Sequence, residues 1–486
     1  MINNVPFNDL IPPLRRPEYA PSPETFLTSV AWSLFDLPSI SASESVLYRR
    51  KEKEASGGAG HHRYTHSELL EKKVELKKAL SASGIKVDGN GGRIDSDFIE
   101  ALLNGLSGTA SVSSSFVSAV PIVPATALLQ TVRGMKGKAK DTKFAGMLED
   151  LYVLGSGEAV QSGSFAEMWL NSAESRLITY PLLGAIDSAL DSVFGPRSRK
   201  TLVVEPQIGW TLLNSIPDLK ARSPFAWFSD AWSNLNSSDW VSALPPRVWT
   251  DWAASVSRTG FGMSYLWEAA WFNRVSMLIL DDSADASDLQ NLTVGDLLQW
   301  SPETATQELR DCGRQIGRPI RRGGELRSVL QDFIESSNGD RIDVIEGLER
   351  AKADTNLKKR LSEIRQKPKG GKAFKDTVEA VSYSLQTRSG LGANADFYGV
   401  LRSQGKRGTW EVAPGTEWLA SIVSLTTKKP GVGLNLGLVM NQLSRLGISV
   451  NTPQVVSLLE RAGLARGSDD ADLGLFVQTA FDQRNG

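Results

Sequence analysis

The sequence predicts a mainly α, multidomain protein with a small β component. Three observations lead there. The chain has 486 residues, more than one hydrophobic core can serve, and length alone suggests roughly three domains. Its 41% apolar and 22% charged shares are those of a globular protein rather than a disordered one. Apolar residues recur at helical spacing through most segments, whereas strand-like runs are short and few.

Shifts in composition divide the chain into four regions. Residues 1–66 read as an N-terminal arm and flexible linker. Pro12, Pro13, Pro17, Pro21 and Pro23 punctuate its start, and Gly57, Gly58 and Gly60 follow a charge run near its end. Between them Phe26, Leu27, Val30, Leu34 and Phe35 predict a helix over 24–36. The start lacks the continuous apolar stretch of a signal peptide.

Residues 67–300 read as a Trp-rich helical core domain. A helix is predicted over 67–80, where Leu69, Leu70, Val74, Leu76 and Leu80 oppose a Lys/Glu face, with Gly84 as its stop. The charge-free stretch 101–132 is long enough to span a bilayer. It is broken by Gly105, Gly108, Pro121 and Pro124 and diluted by serines, so it reads as buried or loop-rich. Arg133, Lys136, Lys138, Lys140 and Lys143 mark a basic loop. Helical patterns resume over 144–154 and 164–194, and Leu202 to Val204 suggest a strand.

Nine of the thirteen tryptophans lie between 207 and 300. Residues 261–280 are apolar nearly all round, interrupted mainly by Glu268, Asn273 and Arg274, which predicts a central buried helix. Trp249 and Trp252, then Trp267 and Trp271, recur at core spacing. Trp232 and Trp240 flank the polar stretch 233–239 and are expected to be partly exposed anchors for a protein partner.

Residues 301–395 form a charged, basic helical segment, with a hinge expected over 366–372. Between 310 and 375 there are seventeen Lys or Arg against ten Asp or Glu. The candidate phosphate contacts are Arg314, Arg318, Arg321, Arg322, Lys358, Lys359 and Arg360. The whole chain carries a formal net charge of only −1, so affinity for a polyanion has to come from such local segregation.

Residues 396–486 read as a separate module. Strands are expected over 397–401 and 409–412, and helices over 416–425, 435–446 and 453–463. Thr452 is read as N-cap ahead of Pro453, and Gly463 as the stop. A short strand, a polar turn over 467–472 and the apolar run 473–477 follow. Three helices and a two-stranded wing resemble a winged-helix domain. The resemblance implies that helix 453–463 is the recognition helix, with Gln454, Ser457 and Arg461 facing a nucleic acid or a partner while Val455, Leu459 and Ala462 pack inward. Asp469, Asp470 and Asp472 in the wing oppose contact with a duplex.

Several chemistries are excluded or weakened. Cys312 is the only cysteine, so no intrachain disulfide or Cys-based zinc site can form. His61, His62 and His66 are the only histidines, so any His-dependent triad or zinc helix would have to use one Gly-flanked loop. The apolar run ending at Asp281 and Asp282 resembles the Mg²⁺-holding element of P-loop ATPases, but the phosphate-cradling motif is absent. Residues 88–95 resemble an EF-hand loop that lacks its spacing and its bidentate glutamate. Asp191 with Glu205 and Gln207 loosely fits a metal-dependent nuclease, although Pro206 weakens the strand that would carry them.

The expectation is therefore a non-catalytic scaffold or nucleic-acid-tethering subunit of a larger DNA- or RNA-processing or antiviral defence complex. No motif names the setting. No catalytic residue, metal or cofactor is assigned. Other protein subunits and nucleic acid are the expected partners, a membrane is not, and the expected location is cytoplasmic. The rival readings are a metal-dependent nuclease and a purely protein-interacting subunit.

Overall fold

Proline sets the start of the element around which everything packs. Pro246 occupies the first turn of α6 (Pro246–Leu280), where its missing N–H costs nothing. The helix then runs 35 residues, about 52 Å at 1.5 Å per residue. Neighbours cover almost every side of it, and Trp249, Trp252, Phe261, Trp267 and Trp271 are all buried. The computed structural model describes residues 2–17, 23–36, 49–50, 64–65, 78, 80–82, 106, 120–128, 143–156, 164–194, 197–200, 210–300, 312–339, 341–367, 374–387, 396–404, 409–466 and 475–481.

Among the helices packed around this axis are α1 (Pro23–Leu34), α2 (Phe144–Ser156), α5 (Pro224–Leu235), α7 (Cys312–Ser336) and α10 (Lys375–Leu385). Two further helices, α3 (Ser164–Thr179) and α4 (Pro181–Phe194), pack on each other beside them. Close approach to α6 depends on small residues. A Cβ on Gly260 would lie 2.4 Å from the Phe228 ring, and one on Gly262 would lie 2.7 Å from Leu385. Among the described residues the protein is mainly helical, as expected, with only small sheets.

The N-terminal arm is threaded into this core. Val5, Phe7, Leu10 and Leu14 are buried. Phe7 N–H donates to Ile342 C=O at 3.0 Å, and Val344 N–H donates to Val5 C=O at 2.7 Å. The Trp271 indole donates to Leu10 C=O at 2.9 Å, and the Trp210 indole donates to Asp9 C=O. Each of these interior carbonyls thus receives a donor, the condition for burying an arm built of the short 3-10 turns Ile2–Asn4 and Phe7–Leu10.

Charged groups inside the core meet opposite charges or backbone carbonyls. Glu268, the acid interrupting the apolar helix, sits between Arg16 at 2.8 Å and Arg327 at 2.9 Å. Arg258 makes two 2.7 Å hydrogen bonds to Asp396 with both side chains buried. Arg176 donates to the carbonyls of Val241 and Leu244 beneath Trp249. An unpaired charge at such depth would be strongly destabilising.

Two tryptophan expectations are corrected. Trp232 and Trp240 are both 0% exposed and are not surface anchors. Trp232 stacks on Phe165 at 4.1 Å and donates to its carbonyl. Trp240 donates to Thr427 C=O at 2.8 Å. The polar stretch between them ends α5 and begins the next helix; Ser238 and Asp239 are exposed, but other polar groups are engaged within the protein. Asn234 donates to Leu425 C=O, and Ser237 caps the helix Ser238–Ala243.

At the C-terminal end, β2 (Leu401–Gln404) and β3 (Thr409–Val412) pair antiparallel, so the first strand starts at 401 rather than 397. Then come α11 (Thr416–Ser424), β4 (Gly433–Asn435), α12 (Leu436–Arg445), β5 (Ile448–Ser449) and α13 (Thr452–Arg461). Last are β6 (Ala465–Arg466) and β7 (Phe476–Gln478). One antiparallel sheet has the order β6–β7–β4. Asn451, not Thr452, caps α13, because its side chain accepts from Gln454 N–H at 3.0 Å. Gly463 ends the helix at φ +70°, a left-handed conformation that suits glycine. The module is joined to the core: β5 pairs in parallel with Leu298–Gln299, and Arg445 bonds Asp230 and Ala221 C=O.

Candidate nucleic-acid interface

Helix α7 presents one face to α6 and the other outward, because its sequence alternates sides at helical spacing. Ile316, Ile320, Leu326, Leu330 and Ile334 are buried, whereas Arg318 and Arg321 are exposed and Arg322 is half-buried. Beside it packs α9 (Thr355–Gln366), anchored by Leu357, Leu361 and Ile364. This second helix carries Lys358, Lys359, Arg360 and Arg365 on its remaining surface.

The packing of α7 on α9 brings like charges together. Burial, and then the positive charges of Arg318 and Arg365, hold the Arg322 guanidinium below its ordinary range. The Nε atoms of Arg322 and Arg365 are buried without a hydrogen-bond partner. Arg318, Arg321, Arg322, Lys359 and Arg365 form no ion pair among the described residues. Two of the expected phosphate contacts are matched by acids: Lys358 pairs with Asp282 at 2.5 Å, and Arg360 with Asp332 at 2.9 Å. Surface pairs of this kind contribute little and open readily. The Arg314 side chain lies outside the described residues.

On α13, Val455, Leu458 and Leu459 are buried and Ala462 is packed against the core. Ser457 and Arg461 are exposed, and Gln454 is half-buried beside them. The inward and outward faces match the sequence pattern, with Leu458 added to the inward set. Arg365 belonged to a legible basic cluster, but only the packing of α9 on α7 sets it against Arg322. No local pattern in the sequence signals that juxtaposition.

Asp191 lies on α4, 3.2 Å from Arg197. Burial pushes its carboxyl up to about 6 even though Arg197 pulls the other way. Glu205, Gln207, the three histidines, the loop 88–95 and the wing residues 467–474 lie outside the described residues, as does the stretch 202–204. Asp281 is exposed and bonded to Ser283 at the end of α6. Among the described residues, no three His, Cys, Asp or Glu side chains gather to hold a metal ion. Nor is any described helix long and apolar enough to cross a membrane; most of 101–132 lies outside them. No protein-family model matches the chain, and no curated protein or solved structure is significantly similar to it.

Proposed function

We propose that the protein is a non-catalytic subunit that tethers a larger assembly to nucleic acid. The observation that carries this reading is the unopposed cation cluster of Arg318, Arg322 and Arg365, with Arg321 and Lys359 on the same helices. Holding guanidinium groups side by side with no carboxylate paired to them is unfavourable in the free protein. Phosphates supply the missing negative charge, and binding them releases condensed counterions. A nearly neutral chain with one such face would grip a polyanion locally rather than by bulk attraction.

The C-terminal module supports a second contact. Its element order and its β6–β7–β4 sheet fit the winged-helix pattern, in which α13 holds the recognition position. Gln454, Ser457 and Arg461 would then touch nucleic acid or a partner subunit.

Fluorescence anisotropy with labelled duplex and single strands over a salt series tests the tether. Combined Arg318→Glu, Arg321→Glu and Lys359→Glu should weaken binding and flatten the log–log salt slope by roughly 0.7–0.9 for each phosphate no longer neutralised. An unchanged slope in a folded variant removes this face from the reading. Loss of binding only on Arg461→Glu would move the interface to α13.

A further inference from the structure

A cavity of about 500 Å³ opens between α6, α7 and the segment 294–297. It falls within the range that encloses small organic ligands. Its apolar side is built by Leu266, Ala269, Ala270 and Met277 from α6 and by Val294 and Leu297 opposite. Arg318 and Arg322 line the other side, one turn apart on α7 with Pro319 between them. Asp296 is the one acid in the lining, and no ion pair links it to either arginine.

Two polar groups in this lining are left unused. The Asn273 side-chain oxygen is buried with no donor, and the Arg322 Nε is buried with no acceptor. Asn273 Nδ2 meets only the Met277 sulfur, at 3.9 Å. Buried polar atoms without partners are rare in folded proteins, and a ligand is one way of satisfying them. By contrast Arg274, also in the lining, is fixed by Val294 C=O at 3.2 Å and serves as a wall.

We infer that this cavity binds a nucleoside 5′-phosphate, with its base on the α6 floor and its phosphate between Arg318 and Arg322. The charge count favours phosphate over carboxylate. Two neighbouring guanidiniums repel each other, and a phosphomonoester carries close to two negative charges at neutral pH. Its oxygens also suit the planar donor forks of arginine. A carboxylate would neutralise only one of the pair. The apolar floor accepts a flat ring.

The same chemistry has two sources, a free mononucleotide or the 5′-phosphorylated end of a strand. The inference stands on the cavity rather than on the tethering reading, although both use Arg318 and Arg322. Titration calorimetry of the full chain with adenosine 5′-monophosphate, adenosine, inorganic phosphate and short 5′-phosphorylated or 5′-hydroxyl strands distinguishes them. The monophosphate or the phosphorylated strand should bind, and removing the phosphate should cost roughly tenfold or more.

Arg318→Gln with Arg322→Gln should cause a similar loss. So should Ala270→Leu, which fills the cavity without changing charge, provided its melting temperature stays near the parent's. Binding by the free monophosphate assigns a nucleotide ligand, and binding by the phosphorylated strand alone assigns strand-end capture. Either result supports the site. Indifference to Ala270→Leu, equal binding of inorganic phosphate, or no binding by either phosphorylated ligand would overturn it. Salt-sensitive binding of internal strand segments that survives Ala270→Leu keeps the tether whatever happens to the cavity.

Discussion

Asp251 shows how a single side chain couples this fold to pH. It lies on α6 with Arg247 Nε donating to both carboxylate oxygens at 3.0 and 3.1 Å. Burial nevertheless pushes its carboxyl up to about 6, since the loss of water outweighs the neighbouring cation. Between about pH 4 and pH 6 the folded state therefore holds this proton more tightly than the unfolded chain. The stabilisation is present at low pH and is lost as pH rises through 6. Asp251→Asn should accordingly gain stability relative to the parent across that window, by up to about 3 kcal/mol at 1.4 kcal/mol per unit. Above it the difference should level off. Urea midpoints of both proteins at pH 4, 5.5 and 7.5 check the trend; a flat difference rejects it.

Between helices, close approach sets tolerance to change. The Phe228 ring occupies the space a Cβ would need at Gly260. Gly260→Val should therefore cost about 2–3 kcal/mol by overpacking, measured as a lower thermal midpoint. Gly260→Ala should cost less, because better helix propensity returns about 1 kcal/mol. The second half of α6 was legible in the sequence, where its apolar residues run all round the helix. Its first half was not, since Thr250, Asp251, Ser255, Ser257, Arg258 and Thr259 resemble a wet face. That face is covered, with Arg258 bonded to Asp396 and Thr259 accepting from the Trp418 indole at 3.1 Å. Partners 138 and 159 positions away leave no local signal. The burial of Trp232 and Trp240 leaves no local signal for the same reason. The turn between them looks solvent-facing until Leu425 and Thr427 arrive. Of the candidate interface, the arginine spacing on α7 was readable. The pairing of Lys358 and Arg360 with acids from other elements was not.

At the scale of the whole molecule, the arm formed by residues 2–17 holds distant parts of the chain together. Removing residues 2–14 would strip cover from Phe333 and remove the Leu10 and Asp9 acceptors from the indoles of Trp271 and Trp210. The shortened protein should melt at lower temperature with red-shifted tryptophan emission; an unchanged spectrum would argue against the arm as a core element. The arm also imposes an order on biosynthesis. Phe7 leaves the ribosome roughly 330 residues before Ile342, the residue whose carbonyl receives its N–H. At about 5–20 residues per second, that is a wait of roughly 15–70 s. The segment carrying Val5, Phe7, Leu10 and Leu14 therefore cannot complete its docking until translation is well advanced, and chaperone demand during synthesis should concentrate there.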